Sequence, residues 1–375
     1  MTTETDTTET GTTETGAGTR VPDAVAGRRP LRAGPVSAVW RPRGAAVVLV
    51  GAAVLVLVGA VSIGRGDYPI AVGDVLRVLF GGGSRSETFV VTELRLPRVL
   101  TGALVGAALG IAGAITQGVA RNPLTSPDVL GVTDGAGVAA LLVLVLAGTG
   151  GSAVGLLAAL GLPLAALVGG LLAAALVVVL AYRQGLDAFR FILVGLGISV
   201  ALVSVTSWLL VIANVQQAGL ALVWLRGSLN ARGWEHVLPV AVVLVLVVPV
   251  TIALTFRLDA LDLGDDTARG LGVRVDRTRI SLLGLAVVLA ASATAAAGPI
   301  RFVALVVPQV SLRLAGGSRP PLIASAIAGA VLVVAGDLLA RTVLGGEVPV
   351  GVVTVVLGAP YLLFLLVRRT RKDSA

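Results

Sequence analysis

Five stretches of this chain run for at least twenty residues without a charged side chain: Gly44 to Gly64, Val99 to Ala120, Val237 to Phe256, Ile280 to Ile300 and Val348 to Val367. At about 1.5 Å of rise per residue, a helix of roughly 20 residues crosses the ~30 Å hydrocarbon layer of a bilayer. Inside lipid a helix satisfies every backbone polar group within its own segment, so each stretch is read as a membrane helix. With 56% hydrophobic residues over 375 positions, the chain is too apolar to be hidden in a soluble core.

The uncharged run from Gly135 to Tyr182 is too long for one crossing, and Gly148-Thr149-Gly150-Gly151 supplies a turn that divides it into two helices. Phe191 to about Ile212 adds another. Phe302 to Leu312 and Pro320 to Gly336 are shorter apolar runs, suited to helices packed inside a bundle. The expectation is an all-α, polytopic membrane protein of ten transmembrane helices over residues 44–370. Residues 1–43, rich in Thr-Glu-Thr repeats, hold too little apolar surface to offset ordering entropy and read as a disordered tail. They lack the order of a signal peptide, so Gly44 to Gly64 is expected to be retained as an anchor. If both termini are cytoplasmic, short inner loops hold 20 of the 29 basic residues, which is the usual bias and accounts for the +8 net charge. The charges are scattered among helix ends and form no basic face, so nucleic-acid binding is not expected.

Several chemistries are excluded by composition. There is no Cys, and the single histidine, His236, cannot form a metal-binding cluster; beside Trp234 it reads as an interfacial ring. The one lysine, Lys372, stands three residues from the end, so no Gly-Lys-Ser/Thr phosphate loop exists. The chain is therefore read as a non-enzyme without cofactor or metal, any nucleotide energy coming from a partner. Asp337 has Arg341 one helical turn on, where an ion pair offsets the cost of both charges. Asp128 and Asp134 lie at a helix start, favoured by the dipole. No unpaired acid is left deep in a helix, which argues against an ion-coupled transporter.

Gly102, Gly106 and Gly110, spaced by four on one helix face, are assigned to close helix packing. Arg121-Asn122-Pro123 then ends that helix, because the residue before proline disfavours α geometry. The loop Arg257 to Arg279 mixes five Arg with five Asp and is expected to hold two short helices, Ala260 to Leu263 and Asp265 to Leu271, separated at Gly264. Physics alone leaves it either a solvated connector or a dock for another protein.

Together, Leu94-Arg95-Leu96-Pro97-Arg98, read as a turn, the Gly-rich helix, Arg121-Asn122-Pro123-Leu124, Gly298-Pro299-Ile300-x-Phe302, Val307-Pro308, Asp337 to Arg341, Glu347-x-Pro349-x-Gly351 and Gly358-Ala359-Pro360 resemble the permease subunit of the ferric-siderophore, haem and cobalamin family of ABC importers. The resemblance covers roughly Leu94 to Val367. It implies a type II importer permease, like the cobalamin permeases, in the cytoplasmic membrane. A second permease would complete the pathway, with two ATPase subunits below and a substrate-binding protein above. It further implies that Leu263, Gly264, Ala268, Arg269, Leu271 and Gly272 seat in a groove of the ATPase. By the same resemblance Arg95, Arg98 and Arg341 would pair with acidic residues of the binding protein. Headgroup contacts, or an internal pair with Asp337, are the alternative for those arginines. The cytoplasmic gate would map onto Asn122 and onto Leu186, Asp187 and Ala188, with ordinary end-capping the alternative for Asn122.

Two positions depart from the family pattern. Gln309 stands where relatives commonly have His, which is similar to the second, non-identical permease of some siderophore systems and favours a heterodimer with a paralogue over self-association. Arg301 replaces a glycine and is expected near the outer end of the pathway, either attracting an anionic ferric siderophore or pairing locally. The expected cargo is a ferric siderophore, with cobalamin or haem as the alternative and an ion-coupled secondary transporter behind both.

Overall fold

The computed structural model describes residues 30–33, 36–39, 42–66, 68–147, 152–182, 188–344 and 348–373. Two compact units divide the chain, Met1–Pro42 and Arg43–Ala375. Within the first, where the sequence predicts a disordered tail, the described residues form two short antiparallel strands, β1 (Pro30–Ala33) and β2 (Val36–Val39), with Pro30 opposite Val39.

The second unit is all-helical among the described residues. In order it contains α1 (Pro42–Gly64), α2 (Val72–Leu79), α3 (Arg85–Phe89), a π-helical turn at Val90–Arg95, α4 (Leu96–Ala120), a 3-10 turn at Pro127–Leu130, α5 (Val132–Ala147) and α6 (Ser152–Ala181). There follow α7 (Ala188–Ile212), α8 (Val215–Leu225), α9 (Trp234–Ala253), α10 (Thr255–Asp262), α11 (Asp265–Gly270), α12 (Val275–Ala297), α13 (Val303–Ala315), α14 (Leu322–Thr342) and α15 (Val350–Asp373). Seven of these are long and apolar enough to cross a membrane, and α5, α13 and the apolar part of α15 are shorter. Every membrane helix expected from the sequence coincides with one of α1, α4, α5, α6, α7, α9, α12, α13, α14 and α15. The glycine turn expected at 148–151 lies outside the described residues. The helices α2, α3 and α8 are additions that no long apolar run announces.

Two helices form the centre. Over their apolar windows α4 is 78% and α12 72% buried, against 11% for α1 and α7, so α4 and α12 face protein all round while α1 and α7 face outward. The spacing of Gly102, Gly106 and Gly110 explains the seam between α4 and α14. A Cβ at Gly106 would overlap the Gly329 carbonyl, one at Gly110 the Ser325 carbonyl, and one at Gly329 the carbonyl of Gly106. Backbones approach this closely only where the residue facing the neighbouring carbonyl carries no side chain.

One segment departs from expectation. Leu94 to Arg98 reads as a turn, yet the chain is helical from Arg85 to Ala120. Ser84 and Glu87 make a reciprocal capping box at its start. Pro97 has no N–H to donate, and the wide π turn immediately before it lets the helix continue past the proline. At the other end Arg121 adopts a left-handed conformation, φ 49°, and Asn122-Pro123 stops the helix as the sequence predicts.

Candidate functional site

The charged residues gather at the two ends of α4. At its start, the Asp337 carboxylate, with a side chain 5% exposed, accepts from Arg98 Nε at 3.0 Å and Nη2 at 2.8 Å, and from Arg341 Nε at 3.1 Å. Arg98 also donates to Asn230 Oδ1 at 3.3 Å, and Arg341 donates to Ser62 Oγ at 2.6 Å and to the Ser62 carbonyl at 3.3 Å. Arg95 reaches back to the carbonyls of Ile63, at 2.7 Å, and Tyr68, at 2.6 Å. The structure thus brings together the three arginines read as docking residues and engages each with acceptors of its own chain. The ion pair expected between Asp337 and Arg341 is present, and Arg98 joins it in the two-pronged geometry that a guanidinium offers a carboxylate. One carboxylate between two guanidinium groups, with Arg95 nearby, leaves this end positively charged.

At the opposite end lie α10 and α11. The sequence predicts a first short helix of Ala260 to Leu263; the structure begins it at Thr255, directly after α9, and ends it at Asp262. Gly264 stands between the two helices at φ 104° and ψ 154°, a conformation open essentially only to glycine, and Gly272 closes the second at φ 80°. Asp265 fastens the pair to the bundle, accepting at 2.8 Å from both Arg121, at the end of α4, and Arg279, in the first turns of α12. Arg319 holds Asp259 at 2.6 Å. Ala268 is fully buried against the core, whereas Leu263, Leu271 and Arg269 are exposed by more than half. An apolar surface of Phe256, Leu263 and Leu271 borders a cleft of about 280 Å³ beside Ser318. Burial holds the Asp262 carboxyl above the usual aspartate range, Arg319 opposing the shift and Asp259 reinforcing it.

Between these helices and α13 opens a cavity of about 410 Å³, lined by Gln117, Asn122, Asp262, Gln309 and Arg319 among others. Asn122 stands at its wall and accepts from the Leu124 N–H at 3.0 Å, so this candidate gate residue folds the turn after α4, the end-capping role left open for it. Above it Gln309 Nε2 donates to Gln117 Oε1 at 2.6 Å, and Gln117 Nε2 donates to the Leu305 carbonyl at 2.9 Å, so buried amides bridge α4 and α13. The sequence marks Gln309 as a departure but passes over Gln117, although a polar side chain deep in a membrane helix is itself a signal. Leu186 and Asp187 lie outside the described residues, and Ala188 opens α7. Phe191 and Ile192 of α7 line a different cavity of about 210 Å³, on the side of Thr125, Ser126 and Arg279, so the two candidate gate segments border separate spaces. Arg301 donates to Asp134 Oδ1 at 2.9 Å, the local pairing foreseen as one of its two options.

The sequence pattern of the FecCD transport family matches residues 46–368. The chain belongs to the FecCD transport family. It is 43% identical, over 84% of its own length and 94% of the relative's, to the ferric enterobactin transport system permease protein FepG of Escherichia coli. It is 38% identical to the vitamin B12 import system permease protein BtuC of Vibrio cholerae, over 80% of this chain and 89% of that one. Among solved structures it matches an inward-facing metal-chelate type ABC transporter at a TM-score of 0.75 and 28% identity, covering 86% of this chain and 99% of that one. As a FecCD permease, the chain is a multi-pass membrane subunit of a siderophore- or B12-type ABC importer. It is not an enzyme: ATP hydrolysis is done by a partner, and a FecCD permease works with ATPase and substrate-binding partners.

Proposed function

We propose that this permease carries a ferric siderophore across the cytoplasmic membrane, with the Arg98 end of α4 facing outward and the Arg121 end, together with both termini, in the cytoplasm. The observation that carries the orientation and coupling is the knob of α10 and α11. Its glycines, at positive φ, present Leu263 and Leu271 to solvent while Ala268 and Asp265 anchor it to the ends of α4 and α12. Exposed apolar side chains on a rigidly fastened element suit insertion into a groove of a cytosolic ATPase, and two such contacts require two permeases. Gln309 favours a paralogue as the second. Movement of the knob would reach α4 and α12 through Asp265 and re-aim the helices around the Asn122 cavity.

At the outer end, Arg95, Arg98 and Arg341 outnumber Asp337, and the resulting positive field suits acidic residues of a binding protein. The siderophore cargo is favoured by the likeness to the ferric enterobactin permease, which exceeds that to the B12 permease. The test is uptake of radio-iron from a siderophore panel, with labelled cobalamin beside it, in a deletion strain with and without this chain. Loss and rescue of one ferric chelate supports the reading. Intact iron uptake with lost cobalamin uptake replaces it with the B12 function. Within the same strain, Leu263→Asp with Leu271→Asp is expected to abolish uptake and co-purification of the ATPase; an unchanged complex would refute the coupling assignment.

A further inference from the structure

Eight arginine-bearing ion pairs among the described residues belong to the two ends of α4 or to the knob, or lie on an exposed helix. The pair between Arg301 and Asp134 belongs to neither end. Its depth follows from its neighbours. Arg301 lies three residues before Ala304, whose carbonyl packs on Gly113 in the interior of α4, well short of either charged end. Asp134 lies in the first turn of α5, which runs a further 13 residues toward the Arg98 side of the bundle before ending at Ala147. Arg301 is therefore within the membrane-spanning body and not near its outer end, as the sequence alone suggested.

Arg226 reaches the same depth by another route. The helix α8 descends along α5: Gln217 Nε2 bonds the Val145 carbonyl near the outer end of α5, and Leu225 packs on Gly137, about 12 Å further in at 1.5 Å per residue. Arg226, the next residue, caps α8 and is exposed. Its segment is packed directly against that of Arg301. A Cβ at Gly227 would overlap the Pro299 carbonyl, and one at Gly351 would overlap the Arg226 carbonyl and lie 3.1 Å from that of Pro299. These three glycine-permitted contacts, with Gly298 at φ 72°, hold the two arginine-bearing turns together.

The side chain of Arg301 is 54% exposed, against 18% for Arg98 and 16% for Arg341. Only its Nη2 is bonded among the described residues, which leaves Nε and Nη1 of the fork open. A guanidinium this exposed at membrane depth is not accommodated by hydrocarbon, so the face it lies on must be wet. Asp134, 15% exposed, sits behind it; Asp128 is half-buried and occupied by the Thr133 hydroxyl and, at 3.5 Å, by Ser126. Asp134 and Asp128 both act on Arg301 from the buried side, so their countercharge is withdrawn from the exposed face that carries the open edge of the fork.

We propose that Arg226 and Arg301 form an anion-contacting wall within the translocation pathway, selecting a chelate whose outer surface carries anionic oxygens over a neutral one. This rests on the importer reading above and narrows its cargo class. The open edge of the Arg301 fork matches paired carboxylate or catecholate oxygens, and Asp134 holds the guanidinium in place between passages.

The experiment uses the whole importer, permease with its ATPase and binding protein, in proteoliposomes, with radio-iron in a trianionic tris-catecholate, in citrate and in a neutral tris-hydroxamate. The expected result is that wild type carries an anionic chelate, and that Arg301→Gln and Arg226→Gln each lower its maximal uptake about tenfold without loss of complex assembly. Arg301→Lys, which keeps charge but not the fork, is expected in between. Thermal unfolding separates a pathway role from a structural pair: an Arg301→Gln Tm within about 2 °C of wild type, beside the tenfold loss of uptake, supports the proposal. A loss of uptake matched by a fall in Tm of several degrees makes the pair structural and overturns it. Wild type that carries only the neutral chelate, or Arg301→Gln at wild-type rate, overturns the inference while leaving the importer function intact. Transport of cobalamin and of no iron chelate overturns both.

Discussion

Replacing Asp337 with alanine tests what the arginine cluster is for. The carboxylate is 5% exposed and accepts three N–H bonds from two guanidinium groups that are themselves only 16–18% exposed. Removing one member of a buried pair leaves uncompensated charge and costs about 3–5 kcal/mol. Here the remaining acceptors reduce the loss: Arg341 retains Ser62 and the Arg65 carbonyl, and Arg98 retains Asn230. The low end, about 3 kcal/mol, is therefore expected, with two like charges newly facing each other. Asp337→Asn keeps an acceptor oxygen and should cost about 2 kcal/mol, whereas Arg341→Ala leaves the Arg98 fork intact and should cost about 1 kcal/mol. Thermal unfolding of the purified permease in nanodiscs measures this. Asp337→Ala should lower Tm by about 6 °C, taking roughly 2 °C per kcal/mol for a large body. Replacing Arg98, Asp337 and Arg341 together by leucine or methionine should recover most of that, because a buried ion cluster and an apolar one of similar volume differ little. A Tm for Asp337→Ala within about 1 °C of wild type would refute the claim that the cluster ties α1, α4 and α14 together, and would leave the arginines held for an external partner.

Three further perturbations follow from the packing. Gly106→Val should separate α4 from α14 and lower Tm by several degrees, the cost of overpacking being about 1–3 kcal/mol; Gly197→Ala, where an added Cβ meets nothing within 4 Å, should leave Tm unchanged or slightly raised, and equal effects would refute the seam. Asp265→Ala releases both Arg121 and Arg279. It should reduce cargo moved per ATP hydrolysed by about tenfold while hydrolysis continues, and an unchanged ratio would show that the knob couples without this anchor. Gln309→Leu leaves Gln117 Oε1 buried and without its partner, at a cost of about 1–3 kcal/mol readable in the same melts; an unchanged Tm would mean water replaces the amide.

The membrane helices were legible in the sequence because lipid imposes a coarse rule: a span must be long, apolar and hydrogen-bonded within itself. The glycine seam was legible for a similar reason, since residues four apart share a helix face whatever they later touch. The ends of α4 were legible in part. Arg121-Asn122-Pro123 stops a helix locally, but Pro97 does not, and only the π turn preceding it, held in place by the surrounding bundle, shows why the helix continues. The helix α8 carried a local sign, Asn214 and Gln217 forming a capping box, but eleven residues are too short to stand out against true spans.

What the sequence determined by itself was thus the class of protein: helical, membrane-spanning, without thiol, metal cluster or nucleotide-hydrolysing loop, and bearing the motifs of its family. Those properties depend on composition, run length and near-neighbour spacing. Only the tertiary structure decided which charges meet between one helix and another. Arg98 finds Asp337 across 239 positions, Arg121 finds Asp265 across 144, and Arg301 finds Asp134 across 167. Such pairings depend on which helix ends lie side by side, which is set by packing the α4, α12 and α14 faces and has no periodic trace in the chain. Depth is decided in the same way: the sequence places Arg301 near the outer end of the pathway, and the fold leaves it more than half exposed within the span.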